Sequence, residues 1–329
     1  MTPEVVPSPT TECAAIPGLV VIVLNWNGGD ETLDCLRSLR GLDGERPQVL
    51  LADNGSADDS VERALAEDAQ LHVLRFGENL GYAAGNNRAV RHALEALGAR
   101  WVCLLNSDVL VTPELFGRLE LARRALAEEP GEPVGALGPR LLYRDRPDVV
   151  WACGGTIGPA LNVTQLREHG QAHVPNSDPP VDVDYLPGAC LLVSAEAIER
   201  AGLLDERFFC YLEDADWCVR LRAAGLRTVV VPHALAWHGL SSSTGGGYSA
   251  GRKYMTGVNS VHFLRKHGTW RGWAALVVFD IALWPLAFVQ AALRGRAFAA
   301  VAKLRGVVDG LRGKMVDASV AARFRRRSS

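Results

Sequence analysis

Three acidic clusters contain the side chains in this sequence that are best suited to bind a metal ion or to accept a proton. Asp108 ends the segment LLNSD, Asp53 begins the segment DNGS, and Asp214 lies in the segment EDAD. Carboxylates suit Mg²⁺ or Mn²⁺, and one or two are enough when phosphate oxygens complete the coordination shell. A carboxylate at the mouth of a cleft can act instead as a general base, and one that follows a strand can contact a base or a ribose.

Each cluster also has a purely structural interpretation. Asp53 and Asp108 are typical of turns or helix caps at the ends of strands, and Asp216 can pair with Arg220 at helical i,i+4 spacing. This interpretation explains Asp214 less well, because apolar residues four and seven positions later place it on the side of the helix that faces the core. No single cluster is decisive, and the functional interpretation depends on the order and spacing of all of them together.

Two further segments are suited to contact a phosphate or a sugar. In ENLGYAAGNN, residues 78–87, two glycines four positions apart precede a predicted helix and let the backbone approach a ligand closely. The segment has neither the Gly-Lys-Ser/Thr of a P-loop nor the GxGxxG of a dinucleotide site. His238 lies just before a Gly- and Ser-rich loop, residues 241–247. Closure of this loop could deliver a metal ligand or a phosphate contact. A lone histidine near an apolar strand is more often structural.

The elements that must position these residues alternate along the chain. Short apolar runs predict strands at residues 19–24, 49–52, 72–74 and 101–105, and amphipathic segments predict helices at residues 31–40, 58–67, 84–97 and 113–128. This alternation predicts an α/β fold with a mostly parallel sheet covered on both faces. Three of the strands end in polar clusters, and ligands of such sheets bind beyond the carboxyl ends of the strands.

The second half of the chain is less regular. Residues 131–187 are rich in Gly, Pro and β-formers and favour strands or loops, and regular elements return as a strand at 190–193, helices at 195–201 and 213–224, and a strand at 227–231.

Composition excludes several classes of protein. The chain has 329 residues, of which 48% are apolar and 22% charged, so it is neither disordered nor of low complexity. Its net charge of −2 argues against binding to nucleic acid. Seven scattered cysteines without a CxxC predict neither a disulfide framework nor a zinc site, which favours a reducing cytoplasm. Residues 1–17 lack a basic region before an apolar stretch, so we expect a disordered tail rather than a signal peptide.

Residues 251–329 form a distinct basic and apolar region. From Arg252 onward there are fifteen Lys and Arg against three Asp, a net charge of +12 that leaves −14 for the rest. Residues 273–293 are long enough to cross a bilayer, but Asp280 is central and Pro285 interrupts the run. We therefore expect helices that lie on or partly enter a membrane surface, with the basic tail at 323–327 near anionic headgroups. The alternative is a soluble helical subdomain with a solvated basic tail.

The order and spacing of the motifs resemble those of family 2 glycosyltransferases, most closely the bacterial rhamnosyltransferase type. The resemblance covers about residues 18–265 and rests on the segments NWNG at 25–28, DNGS at 53–56, NLGYAAGNN at 79–87, NSD at 106–108 and EDAD at 213–216. It implies a GT-A fold with a catalytic domain at residues 18–250, a nucleotide-diphosphate sugar donor, a divalent cation (Mg²⁺ or Mn²⁺), and transfer with inversion.

The resemblance also implies roles for individual residues. Asp53 would contact the nucleoside, Asp108 the metal and diphosphate, and Asp214 would be the catalytic base. His238 would be the second metal ligand. Further donor-binding positions would be Asn25, Asn54, Asn79, Gly85 and Asn86. The chain departs from the family pattern in two places, because the NSD motif carries a single acid and Asn54 stands where many members have a second Asp.

Together these features predict an inverting glycosyltransferase in cell-envelope polysaccharide synthesis. We expect a glycan or lipid-linked acceptor and, from the family likeness, dTDP-L-rhamnose as donor. The enzyme would be cytoplasmic and peripheral on the inner face of the cell membrane. One alternative is a sugar-phosphate nucleotidyltransferase, although residues 25–29 lack the basic residue that such enzymes need near the first strand. Another is a non-catalytic sugar-binding protein, although Asp53, Asp108 and Asp214 are all present.

Overall fold

The computed structural model describes residues 15–158, 164–175, 178–239 and 249–320. The expected disordered tail falls almost entirely outside the described residues, which begin at residue 15. The predicted loop at 241–247 and the basic tail at 323–327 also lie outside them.

The first half of the chain builds the parallel part of the sheet. Its elements are β1 (Leu19–Asn25), α1 (Gly29–Arg40), β2 (Gln48–Asp53), α2 (Ser60–Glu67), β3 (His72–Arg75), α3 (Gly81–Glu95) and β4 (Trp101–Asn106). The strands are parallel in the order β4-β1-β2-β3, which confirms the predicted alternation. Helix α3 begins three residues before its predicted start, at Gly81, which adopts a left-handed φ of 85°.

The second half extends the sheet with mixed strands. Its elements are β5 (Val109–Val111), α4 (Leu115–Ala127), β6 (Val134–Tyr143), β7 (Val150–Ala152), β8 (Gly155–Ile157), β9 (Thr164–Leu166), β10 (Val181–Asp182), β11 (Cys190–Ser194), α5 (Ala195–Ala201), α6 (Glu213–Ala223) and β12 (Arg227–His238). Among the described residues the sheet has the order β10-β12-β6-β11-β4-β1-β2-β3, with β5 on β12 and β7 on β6. Strand β11 runs antiparallel to both of its neighbours. Strands β8 and β9 pair separately.

Strand β12 continues seven residues beyond its predicted end, to His238. Its register with β6 shifts between Val231 and Leu235, next to Pro232, which has no amide hydrogen to donate. Beyond the shift the strand resumes and pairs with β5, where His238 lies opposite Val109. The extension therefore brings His238 to the end of the sheet that holds Asp108.

The sheet is buried on both faces because its strands carry nearly continuous apolar runs. Along β1, Val20 and Ile22 join one core cluster and Val21 and Val23 the other. Helices α3, α5 and α6 cover the first face, and α1, α2 and α4 cover the second. This two-sided covering is what the predicted α/β fold requires.

The last part of the described chain is helical. It comprises α7 (Ala250–His267), α8 (Trp270–Ala275), a π-helical segment (Leu276–Ala282), α9 (Trp284–Leu293) and α10 (Ala297–Leu311). Helices α7 and α10 pack closely through glycines, since a Cβ on Gly257 would lie 2.4 Å from the Lys303 carbonyl oxygen. Among the described residues, no single helix has the length and apolarity needed to span a bilayer. Residues 270–282 and α9 meet that requirement only as a pair bent by 51°.

Candidate active site

The polar strand ends open into one cavity with a volume of 610 Å³. Its wall includes the ends of β1, β2 and β4, the start of α6, the end of β12, and parts of α7, the π-helical segment and α10. Of the predicted site residues, it is lined by Asn54, Asn79, Asp108, Asp214 and His238. The topology therefore gathers side chains that are far apart in the sequence around a single space.

Asn25 and Asp53 lie behind this wall and shape it. Asn25, fully buried, accepts hydrogen bonds at Oδ1 from the Gly28 amide (3.2 Å) and the Thr32 hydroxyl (2.7 Å). Asp53 is opposite Asn25 in the β1–β2 register and accepts from the Ser56 amide at 3.2 Å. Both side chains thus stabilise the turns that follow their strands. Their contacts with the nucleotide-sugar donor stay predictions.

Asn54 ties the end of β2 to the start of α3. Its Oδ1 accepts from the Leu80 amide at 2.9 Å, and its Nδ2 donates to the Gly81 carbonyl (3.0 Å) and to Asn79 Oδ1 (3.2 Å). A Cβ on Gly85 would lie 3.2 Å from Asn54 Nδ2, so the glycine permits this close approach of α3.

Asn86 occupies the buried side of α3. Its side chain is 1% exposed and donates from Nδ2 to the Tyr82 carbonyl at 3.0 Å. Its Oδ1 is buried and has no hydrogen-bond partner among the described residues.

Asp108 and His238 face each other at the sheet edge. Both are buried, at 4% and 8% exposure, and Asp108 Oδ1 lies 3.4 Å from His238 Nε2. Within the described part of the chain, Asp108 Oδ2 and both His238 ring nitrogens have no hydrogen-bond partner. Buried polar atoms without partners are costly, and a carboxylate oxygen beside an imidazole nitrogen is a donor set that fits a divalent cation. The described residues contain no group of three or more His, Cys, Asp or Glu arranged to hold a metal ion.

Asp214 is held rigidly at the start of α6. Its Oδ2 accepts from the Tyr185 hydroxyl and the Gly188 amide, each at 2.9 Å, and its Oδ1 accepts from the Ala215 amide at 2.9 Å. Burial raises the pKa of Asp214 above its usual value, and these donors oppose that rise. A carboxylate with a raised pKa and a fixed orientation is suited to accept a proton.

Glu213 lies next to Asp214 in a different state. It is 4% exposed, and its Oε2 has no hydrogen-bond partner in the described structure. Burial first, and then the neighbouring charge of Asp214, raise the pKa of Glu213 well above its usual value. Two adjacent carboxyls do not both ionise readily, and Asp214, which accepts three hydrogen bonds, is the better stabilised of the two as an anion.

The loop before α6 has an unusual backbone that the sequence did not reveal. Three of its residues have left-handed φ angles between 57° and 77°: Phe209, Tyr211 and Leu212. Such angles are unfavourable for residues other than glycine and persist only when the surroundings impose them. Asn259 of α7, fully buried, places Nδ2 2.8 Å from the carbonyl oxygens of Phe208, Cys210 and Tyr211. The only sequence signal for this role is a lone amide in an otherwise apolar helix face.

Asp216 anchors α6 rather than facing the cavity. It forms the predicted ion pair with Arg220, at 2.8 Å, and further pairs with Lys266 (2.6 Å) and His267 (2.7 Å) of α7. The structural interpretation of this acid is confirmed.

A family model described as "Glycosyltransferase like family 2" matches residues 17–252. The chain belongs to glycosyltransferase family 2. This glycosyltransferase is 34% identical over 248 residues to the N-acetylglucosaminyl-diphospho-decaprenol L-rhamnosyltransferase of Mycobacterium tuberculosis, covering 69% of this chain and 78% of the relative. It is 22% identical over 226 residues to the dTDP-rhamnosyl transferase RfbF of Shigella flexneri, covering 69% and 70%.

Solved structures show the same fold. The mannosyltransferase of Pyrobaculum calidifontis, solved with GDP-Man and Mn²⁺, superposes on this glycosyltransferase with a TM-score of 0.54 at 18% identity, covering 94% of this chain and 90% of that one. The predicted GT-A fold and the predicted family are confirmed.

Proposed function

We propose that this glycosyltransferase transfers a sugar with inversion from a nucleotide-diphosphate donor to an acceptor hydroxyl. The observation that carries the proposal is that Asp214 lines the same cavity as Asp108 and His238. The acceptor oxygen attacks the anomeric carbon, its proton passes to Asp214, and the bond from that carbon to the diphosphate breaks. The nucleoside diphosphate leaves with the bonding electron pair.

Asp108 and His238 are the proposed ligands of a divalent cation, Mg²⁺ or Mn²⁺. Their orphaned buried atoms support this assignment, as does the Mn²⁺ in the structurally similar mannosyltransferase. A bound cation supplies positive charge to the departing diphosphate. Asp53, Asn25, Asn54, Asn79, Gly85 and Asn86 are the proposed donor-side positions.

The proposed donor is dTDP-L-rhamnose, and the proposed acceptor is a lipid-linked sugar in cell-envelope polysaccharide synthesis. The names of the two relatives support these choices, since one is a dTDP-rhamnosyl transferase and the other acts on a diphospho-decaprenol. In this proposal residues 18–250 form the catalytic domain.

Residues 251–329 are proposed to hold the enzyme on the cytoplasmic face of the cell membrane. Large apolar side chains are exposed along the C-terminal helices, among them Trp270 (76%), Leu286 (69%) and Leu293 (85%). The central Asp280 does not oppose this, because it pairs with Lys303 and its side chain is only 14% exposed. A bent apolar pair with inward-facing charge is suited to lie at a bilayer interface.

A donor screen with the purified protein tests the proposal. We expect nucleotide release from dTDP-L-rhamnose to exceed that from other nucleotide sugars when a lipid-linked acceptor is present. Asp214→Asn should lower kcat by roughly 100-fold or more, as loss of a general base does, while nucleotide binding is kept. Glu213→Gln is the matched control and should lose far less, because glutamine resembles the protonated acid. An Asp214→Asn variant that transfers sugar at the wild-type rate would refute the base assignment.

A further inference from the structure

The cavity that Asp214 lines is also lined by a cluster of cations on the C-terminal helices. Arg252 and Lys253 of α7 and Lys303 of α10 line it, together with Asp280 of the π-helical segment. We call these three basic residues the cation cluster. The sugar-transfer chemistry described above uses none of them.

The cation cluster concentrates like charges in a partly desolvated space. Lys303 forms an ion pair with Asp280, and the Arg252 guanidinium lies 5.3 Å from the centre of the Tyr211 ring. Burial, and then repulsion from Lys303 and Arg252, lower the pKa of Lys253 to about 8, while Asp280 acts in the opposite direction. An anionic ligand would relieve this crowding of positive charge.

The cation cluster contacts both the loop that precedes the candidate base and the segment that carries the exposed apolar surface. Tyr211, which Arg252 covers, precedes Asp214 by three residues and belongs to the loop that positions it. On the other side, the π-helical segment turns Asp280 and Leu276 inward, and it exposes four apolar residues: Val277 (51%), Val278 (44%), Phe279 (38%) and Ile281 (39%). Base and cations therefore line one cavity, and the segment that contributes Asp280 to its wall exposes apolar residues on its other side.

We propose that Arg252, Lys253 and Lys303 bind the diphosphate of a polyprenyl-diphosphate-linked acceptor. The sugar hydroxyl then faces Asp214, and the prenyl chain leaves along the exposed apolar residues of the π-helical segment and α9. A lipid-linked acceptor consists of a sugar, a diphosphate and an apolar chain, and the cavity together with the segment that forms part of its wall offers a partner for each. The inference rests on the proposed function, which assigns the donor diphosphate to the cation held by Asp108 and His238.

Binding of farnesyl diphosphate to the full chain tests the site without catalysis, with tryptophan fluorescence or calorimetry as the measurement. We expect farnesyl diphosphate to bind more tightly than farnesol or inorganic pyrophosphate, because each of these lacks one half of the ligand. Lys253→Met and Lys303→Met should each weaken binding about tenfold, the size of one lost charge-assisted contact. The double variant Asp280→Asn/Lys303→Met removes both partners of the ion pair and should bind as weakly as Lys303→Met, which guards against a folding defect from a lone carboxylate. Arg305→Met is the matched control, because Arg305 is on the same helix with its side chain 59% exposed.

Transfer assays distinguish whether the cation cluster binds the diphosphate of the acceptor or that of the donor. With a lipid-diphosphate acceptor, Lys253→Met should raise the acceptor KM about tenfold, with kcat and the affinity for dTDP unchanged. With an octyl glycoside of the same sugar as acceptor, which has no diphosphate, the acceptor KM of the Lys253→Met variant should equal that of the wild type. An equal loss of dTDP affinity would overturn the inference and assign the cation cluster to the donor. Equal binding of farnesol and farnesyl diphosphate would also overturn it. A wild-type protein that binds farnesyl diphosphate through the cation cluster but transfers no sugar would instead refute the proposed function.

Discussion

The hydrogen bond from Tyr185 to Asp214 offers a sharp test of the proposed base. Tyr185→Phe removes a 2.9 Å donor to the ionised carboxylate and leaves the ring in place. A hydrogen bond to a charged group is worth about 1.5–3 kcal/mol, which corresponds to roughly 10- to 150-fold in the proton-binding equilibrium. Loss of the donor destabilises the charged form, so the pKa of Asp214, already raised by burial, rises further. The acid limb of the kcat profile should therefore move toward neutral pH.

The measurement is a pH profile of kcat, followed by nucleotide release. At pH values below the pKa of Asp214, kcat of the variant should be lower than that of the wild type by the same factor of roughly 10 to 150. At high pH the two kcat values should be nearly equal. Tyr82→Phe is the matched control, since the Tyr82 hydroxyl donates to the Gly188 carbonyl (2.7 Å) rather than to a carboxylate. It should cost about 0.5–1.5 kcal/mol of stability without moving the limb. A Tyr185→Phe profile that falls equally at every pH, or that matches the Tyr82→Phe profile, would refute the reasoning.

Three further outcomes follow from the site. Asn259→Ala leaves loop carbonyls without their hydrogen-bond donor and should lower both kcat and the free energy of unfolding, the latter by about 1–3 kcal/mol. The measurement is urea unfolding, and a variant as stable as the wild type would contradict this. At 100 times its Kd, dTDP with Mn²⁺ should stabilise the wild type by about 2.7 kcal/mol, and thermal shift should show most of the Mn²⁺-dependent part lost in Asp108→Asn. Gly81→Ala places a Cβ 2.5 Å from the Phe209 ring, whereas Gly77→Ala meets nothing within 4 Å. Both glycines have φ near +80°, so Gly81→Ala should destabilise the protein by about 1–3 kcal/mol more than Gly77→Ala, and equal unfolding midpoints would contradict the contact.

Local pattern was enough to predict the parallel half of the sheet. Its strands are short apolar runs, and the register places polar residues opposite each other where the apolar runs end, as with Asn25 and Asp53. Parallel strands end at a common edge, so the strand pattern alone was enough to expect that the polar residues meet there. The ion pair of Asp216 with Arg220 was predictable for the same reason, because both partners lie on one helix.

Contacts between distant segments were not predictable in this way. The donors that orient Asp214 come from Tyr185, in a stretch predicted only as strands or loops, and from Gly188 just beyond it. Asn259 reaches the loop before α6 from α7. His238 arrives beside Asp108 only because β12 continues past the irregularity at Pro232.

The sequence by itself determined the alternation of strands and helices, the family, and the acids that stand at strand and helix ends, because periodic burial and turn chemistry act over a few residues. The tertiary structure alone decided which donors hold those acids and that cations from α7 and α10 share their cavity. Such pairings depend on strand register and on how helices pack, and these are set by the whole core rather than by any local segment.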